Sequence, residues 1–335
     1  MTQRTNDWLD MALTPSTAVP ETPKKTPPDK KTSVKIDNSL DYILDDTPAY
    51  SRSARELFAD ACEELLRPAE ATHFNMFSQL EHITGGLRPY EFTLLSGQTG
   101  AGKTTLLANL SHDLIMSGTP HLVASVETGH VDFMVRVMSA MAGRDWNSGK
   151  AVDFEDIKLF QKEHPELTGE GHLFLSLYQN RLSVERLMHD LAWNYREHGT
   201  KVAILDNLNF FLEITDAANA NREMDRVIHE LVIFAKNVPM HLILVVHPKK
   251  TDNNRVESTD DIRGSILASQ EAHNILVWNR PHPDRVKRGV LQDTDRELTI
   301  LKMRRRGRYV GHTLVFSHVE TVAFKEAGML KPGRD

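Results

Sequence analysis

Cysteine is nearly absent: Cys62 is the single one in 335 residues. One thiol excludes an internal disulfide and any four-cysteine zinc ribbon, and it suits a reducing compartment. Long apolar runs are missing too. The longest, around 242–246, is far too short to span a bilayer, so no membrane partner is expected. The N-terminus lacks an apolar signal-type stretch, and Asp7 and Asp10 set it apart from an acid-poor transit sequence. A cytoplasmic setting is the expectation, with a mitochondrial one left open. There is no excess of positive charge either. The formal net charge is −6, so any contact with nucleic acid has to come from local basic patches. No internal repeat is found. What remains is ordinary globular composition, 40% hydrophobic and 26% charged, enough for one or two domains.

Residues 14–35 hold five prolines and five lysines and almost no large apolar side chains. Such a stretch cannot bury enough surface to offset its ordering entropy, so residues 1–50 are expected to be a disordered tail. A solvated linker and a partner-touching arm both fit it. Residues 51–68 read as a helix. Ser53 and Glu56 have the spacing of a capping box, and Leu57, Phe58, Ala61, Leu65 and Leu66 recur at helical intervals. That apolar face needs a cover, either its own domain or a neighbouring subunit, and the sequence does not choose. From 72 to 325, apolar strands alternate with amphipathic helices. Strands are predicted near 91–96, 122–126, 173–177, 202–205, 242–246, 274–278, 298–303 and 313–316. Ser183 to His198 is the clearest helix, with Val184, Leu187, Met188, Leu191, Ala192 and Tyr195 on one face and Gly199 at its end. Alternation of this kind predicts an α/β fold with a mostly parallel sheet and antiparallel C-terminal hairpins.

The stretch Gly97-Gln98-Thr99-Gly100-Ala101-Gly102-Lys103-Thr104-Thr105 follows a strand and opens a helix. It is a Walker A loop. Its glycines let successive N–H groups curl around a phosphate, and the helix N-terminus adds its positive dipole end. Lys103 is placed to reach the β- and γ-phosphates of ATP, and the Thr104 hydroxyl to take a place on Mg²⁺. Three strands end in a polar residue straight after an apolar run: Glu127, Asp206 and His247. Ligands of open parallel sheets sit at the carboxyl ends of the strands, so all three are expected beside the loop. Asp206 suits a Walker B carboxylate on the metal, Glu127 a general base for water, and His247 a γ-phosphate sensor. Lys302 and Arg304 alternate onto one face of a late strand, and an arginine at a γ-phosphate stabilises transition-state charge. Arg305, Arg306 and Arg308 read as a solvated basic hairpin. The loop from Lys249 and Lys250 to Arg263 is basic at both ends, which alone is a weak signal for contact with a phosphate backbone.

Taken as an ordered set, these motifs resemble the RecA-like core of ring-shaped replicative helicases of the DnaB-type superfamily. They are most similar to the helicase half of phage primase-helicases and of mitochondrial Twinkle. The resemblance runs from about Phe77 to Phe316. It rests on the Walker A loop, Ser125-Val126-Glu127, Ile204-Leu205-Asp206-Asn207-Leu208 and Val245-Val246-His247-Pro248-Lys249. It rests further on Asp261-Ile262-Arg263-Gly264-Ser265, Ser269-Gln270-Glu271 and Leu301-Lys302-Met303-Arg304. The resemblance implies a homo-hexamer with ATP at subunit interfaces and movement 5′ to 3′ on single-stranded DNA. It implies Lys302 and Arg304 as fingers supplied to the neighbour's phosphate, and Lys249, Lys250 and Arg263 as DNA-gripping candidates. It also favours docking of the 51–68 helix on the adjacent subunit. Fewer than a hundred residues precede the loop, so no primase domain and no priming activity are expected. A replicative polymerase and a separate primase are the implied partners. The alternative is a RecA-like recombination or loading ATPase that binds single strands without processive unwinding. A small-molecule kinase is a third reading, which leaves the basic loop and the Lys302/Arg304 strand unexplained.

Overall fold

Continuous apolar runs form the inner strands of a single sheet. Its members are β1 (Phe92–Gly97), β2 (His121–Ser125), β3 (Leu173–Leu175), β4 (Val202–Asp206), β5 (His241–Val245), β6 (Asn274–Asn279), β7 (Arg296–Met303), β8 (Thr313–Val319) and β9 (Ala323–Leu330). Their order is β3-β2-β4-β5-β1-β6-β7-β8-β9. Pairing is parallel from β3 through β6 and antiparallel from β6 to β9. This is the sheet the sequence predicts, extended by β9, which the sequence pattern does not reveal. The structure is a computed structural model and describes residues 53–66, 70–148, 152–168, 172–175, 183–207, 220–249, 255–262, 266–319 and 322–332. The expected tail, residues 1–50, lies outside them.

The helices are α1 (Ala54–Leu66), α2 (Ser78–Thr84), α3 (Lys103–Met116), α4 (His130–Ala142), α5 (Phe154–Glu163), α6 (Pro165–Thr168), α7 (Val184–His198), α8 (Ala220–Asn237), α9 (Ile266–Glu271) and α10 (Pro283–Lys287). Helix α1 belongs to a unit separate from the one that holds Glu70 and the residues after it, and Leu57, Phe58 and Leu65 on it are exposed. Among the described residues, no helix is long and apolar enough to cross a membrane.

Every residue of β1, β2, β4 and β5 is buried, as strands covered on both faces must be. Alternation then sorts side chains between two cores. Leu94, Ala203, Leu205, Leu242 and Leu244 meet α7 and α8 through Leu187, Leu191, Val227, Leu231 and Phe234. Leu95, Val123, Ile204, Ile243 and Val245 meet α2, α3 and α4 through Ile83, Leu107, Leu114, Phe133 and Val137. Each such side chain contributes about 1.5–3 kcal/mol when fully buried, so these two layers fix the positions of the strand ends. Local signals agree with them. Ser183 Oγ accepts from Arg186 N at the start of α7, and Gly199 closes it in the left-handed region, its N–H donating to the Tyr195 carbonyl at 2.9 Å.

Two buried histidines, His121 and His241, and two half-buried ones, His112 and His273, make the fold pH-sensitive. Burial pushes His121 and His241, at the starts of β2 and β5, down to about 4. His112 is also down to about 4, by burial and then by His164, and so is His273, by burial and then by Arg304. An unfolded chain binds these protons near pH 6.5, so the stability they carry is full above 6.5 and is lost as pH falls toward 4. Burial raises Asp206 to about 6 and raises Asp113. These two act in the opposite sense, but four rings outweigh two carboxyls. Urea titrations are expected to show stability falling by on the order of 3 kcal/mol from pH 7 to pH 4.5. A flat profile would contradict neutral rings at these four positions.

Candidate functional site

The turn after β1 takes its shape from its glycines and from an aromatic floor. Gly97, Gly100 and Gly102 have φ of 149°, 72° and 88°. The requirement is sharpest at Gly97, where a Cβ would lie 1.8 Å from the Trp278 carbonyl oxygen on the adjacent strand β6. Trp278 is fully buried and meets Phe316 and Phe324 edge-on, with centroids 5.2 and 4.9 Å away. Its Nε1 donates to the Ala101 carbonyl at 2.9 Å, and Arg296 Nε donates to the same oxygen at 2.8 Å. Gln98 Oε1 accepts from the Arg280 backbone N–H at 2.9 Å, so Gln98 braces the loop. Thr99 and Gly100 form the exposed tip. Gly102 caps α3 with no side-chain acceptor, which leaves the first-turn N–H groups for an anion. Thr105 is the third residue of that helix, its carbonyl accepting from Asn109 Nδ2 at 2.8 Å.

Lys103 lies back over the loop and is buried. Its Nζ donates to the Gly97 carbonyl at 2.8 Å and the Gln98 carbonyl at 3.0 Å. Burial lowers its pKa, while Asp206 and Glu127 oppose the shift. Thr104 Oγ1 donates to Asp206 Oδ2 at 3.1 Å. Asp206 is buried at the end of β4, and burial and then Glu127 raise its carboxyl to about 6 against the Thr104 hydrogen bond, Lys103 and Arg136. A hydroxyl and a carboxylate oxygen side by side suit a hard cation such as Mg²⁺, which keeps waters and phosphate oxygens in its remaining positions.

Glu127 and His247 stand at the same sheet edge. The register aligns Ser125 with Asp206, Leu205 with Leu244, and Leu95 with Val245, so β2, β4, β5 and β1 end together. Glu127 Oε2 is 3.7 Å from His247 Nε2. Between them is Asn207, whose Nδ2 donates to Glu127 Oε2 and lies 3.0 Å from His247 Nε2.

The second cluster lies elsewhere. Lys302 pairs with Ile275 near the start of β6, whereas Gly97 pairs with Trp278 near its end. Three residues of strand separate those pairs, roughly 10 Å, so Lys302 and Arg304 lie at the edge away from their own phosphate loop. There they cap α9. Lys302 Nζ donates to the Ser269 and Gln270 carbonyls at 2.6 and 2.8 Å, and Arg304 Nη2 to those of Gln270 and Glu271 at 2.7 and 3.2 Å. Cations at a helix C-terminus are favourable there. The neighbouring arginines depart from a simply solvated hairpin. Arg305 pairs with Glu91 at 2.8 Å, and Arg306 donates to the His82 carbonyl at 2.6 Å because α2 ends beside it. Arg308 Nη2 donates to the Tyr309 hydroxyl at 3.2 Å. Lys249 Nζ donates to the Asp260 carbonyl at 2.6 Å within its own loop, closed by the Pro248–Ile262 bridge. Lys250 and Arg263 lie outside the described residues.

Sequence reasoning missed two residues that touch this edge. Asn207 was hidden by its neighbour: the strand-end rule stops at the first polar residue, which is Asp206. Arg280 follows β6 as Glu127 follows β2, so the same signal was present. Its backbone N–H holds Gln98, and its Nη2 lies 3.3 Å from the Gly100 carbonyl.

The DnaB-like helicase C-terminal domain family model matches residues 74–326. The chain is 25% identical over 266 residues to the DNA helicase/primase of Enterobacteria phage T3, covering 76% of this chain and 44% of that protein. It is 22% identical over 228 residues to the replicative DNA helicase DnaB of Leifsonia xyli subsp. xyli, covering 61% of this chain and 46% of that one. It thus spans under half the length of these curated relatives. A solved DnaB-like replicative helicase, studied with primase, superposes with a TM-score of 0.67 at 17% identity, over 87% of this chain and 70% of that one. A solved ATPase domain is covered over 100% of its length, with 83% of this chain, a TM-score of 0.68 and 18% identity. These likenesses make the α/β sheet a RecA-like P-loop core. The family match spans the phosphate loop and all three strand-end groups, and the chain belongs to the DnaB-like helicase C-terminal domain family.

Proposed function

We propose that this chain hydrolyses ATP with Mg²⁺ and uses the energy to move along single-stranded DNA as a replicative helicase. In this reading it works as a homo-hexameric ring, moves 5′ to 3′ and carries no priming activity, so a separate primase and a polymerase are its partners. The observation that carries the reading is the Thr104–Asp206 hydrogen bond beside a buried Lys103, with Glu127 and His247 at the same edge.

Each residue then has a task. Thr104 and Asp206 would hold Mg²⁺, which would supply positive charge to offset that of the phosphates. Lys103 exchanges the loop carbonyls for phosphate oxygens. The loop N–H groups from Gly97 to Thr105 cradle the chain of phosphates. Glu127 accepts the proton of the water that attacks the γ-phosphorus. His247 senses the γ-phosphate and passes its state to the loop that begins at Pro248, where Lys249, Lys250 and Arg263 grip DNA. Arg304 and Lys302 complete the site of the adjacent subunit, since their own loop lies at the other sheet edge. The apolar face of α1 covers a neighbouring subunit in the same ring.

Unwinding of a forked duplex with a 5′ tail but not a 3′ tail, alongside a native mass of six chains, is the expected result. Open filaments on DNA with no fork unwinding would favour a recombination or loading ATPase instead. Mixing provides a second check. Arg304→Ala subunits titrated into wild-type protein are expected to depress ATPase activity well below the wild-type fraction. A linear decline with dilution would show that no finger crosses between subunits.

A further inference from the structure

Asn207 is 1% exposed and has no task in the scheme above. Its side chain nevertheless serves the two groups that scheme relies on. Nδ2 donates to Glu127 Oε2 and lies 3.0 Å from His247 Nε2, while those two atoms are 3.7 Å apart. One amide nitrogen fills the angle between a carboxylate and an imidazole.

Donor and acceptor chemistry fixes how it does so. A carboxylate only accepts hydrogen bonds, so the amide must turn its NH₂ toward Glu127. Flipped over, it would set Oδ1 against the carboxylate. With one N–H spent on Glu127, the second points to His247 Nε2. That ring nitrogen must then be unprotonated, with the ring hydrogen on Nδ1.

We propose that Asn207 is a positioning residue that sets the hydrogen-bond sense of the Glu127–His247 pair. It keeps His247 Nε2 an acceptor and holds Glu127 off the ring. Without it, a carboxylate and an imidazole this close take up a proton and close into an ion pair, which removes base and sensor together. Lys103 on α3 and Asp206 on β4 are charged groups that face Glu127, and Arg136 on α4 acts on Asp206 behind them. The assignment rests on the roles proposed above for Glu127 and His247, but part of its test does not depend on hydrolysis.

The test is ¹⁵N NMR of histidine-labelled full-length protein, with the His247 ring signals assigned by their loss in His247→Gln. Wild type is expected to show the Nδ1–H tautomer at pH 7.5. Asn207→Asp is nearly isosteric and replaces both donors with acceptors. It is expected to put a hydrogen on His247 Nε2 while Nδ1 keeps its own, the ring signature of the ion pair, and to lower kcat about 100-fold, the size of a lost acid–base contribution. KM for ATP should change far less than kcat, because Lys103, the phosphate loop and the Thr104–Asp206 pair, which carry most of the ground-state binding, are not altered. A wild-type ring protonated on Nε2 overturns the assignment, as does an Asn207→Asp variant that keeps wild-type kcat. If wild type hydrolyses no ATP, the helicase reading fails, while the tautomer still decides the role of Asn207. If Asn207→Asp does not fold, by thermal unfolding, the wild-type spectrum decides alone.

Discussion

Lys103→Ala is expected to lower ATP turnover by on the order of 10³-fold or more, with the fold retained. The ammonium is the one positive charge that the loop itself brings to the phosphates, in a buried site where a charge acts with little screening. Its removal costs the fold little. The Gly97 and Gln98 carbonyls lose a donor, a penalty of about 1–2 kcal/mol, and burial already disfavours the charged form that is deleted. Phosphate release and a circular-dichroism melt on the same preparation check both halves. Turnover within tenfold of wild type would contradict the assignment of this loop.

Gly97→Ala is expected to damage the fold itself. The new methyl would meet the Trp278 carbonyl at 1.8 Å, and the backbone there has a φ of 149°. Neither atom yields easily. Gly97 pairs with Trp278 in the middle of the sheet, and Trp278 is locked beneath the loop by Phe316 and Phe324. Overpacking and backbone strain together cost about 3–6 kcal/mol, or roughly 10 °C or more in melting temperature for a domain of this size. Gly129→Ala is the control. Gly129 has a φ of 82° but nothing within 4 Å of an added Cβ, so strain acts alone and its melt should fall much less. Equal melts for the two variants would show that β6 does not press on this position.

The inner sheet was legible because both of its faces are covered, so that β1, β4 and β5 appear in the sequence as unbroken apolar runs. Helix α7 was legible because Val184, Leu187, Leu191 and Tyr195 keep one face and Ser183 and Gly199 punctuate it. β9 was not, because it lies at the sheet edge with exposed and half-buried residues interleaved, which leaves no run and no clean alternation. α2 escaped notice for another reason. Its N-terminus is held by a distant partner, Glu326, which accepts from the Gln79 and Leu80 N–H groups at 2.8 Å, and no local cap announces it. At the site, residue type at strand ends sufficed to single out Glu127, Asp206 and His247. Asn207 acts through contacts between strands far apart in sequence, which leave no spacing to read, whereas Arg280 carried the same strand-end signal as the other three and was passed over.

If these strand-end groups cleave a magnesium-bound triphosphate and the loop behind His247 couples the cleavage to DNA, hydrolysis must respond to both the metal and the strand. The most direct measurement is phosphate release by the full chain with ATP and Mg²⁺, with and without a long single-stranded oligonucleotide. Magnesium-dependent turnover that rises about tenfold when the strand is added, within the usual range of coupling between sites, is the result expected. Turnover that is absent, or identical with and without the strand, would contradict the account.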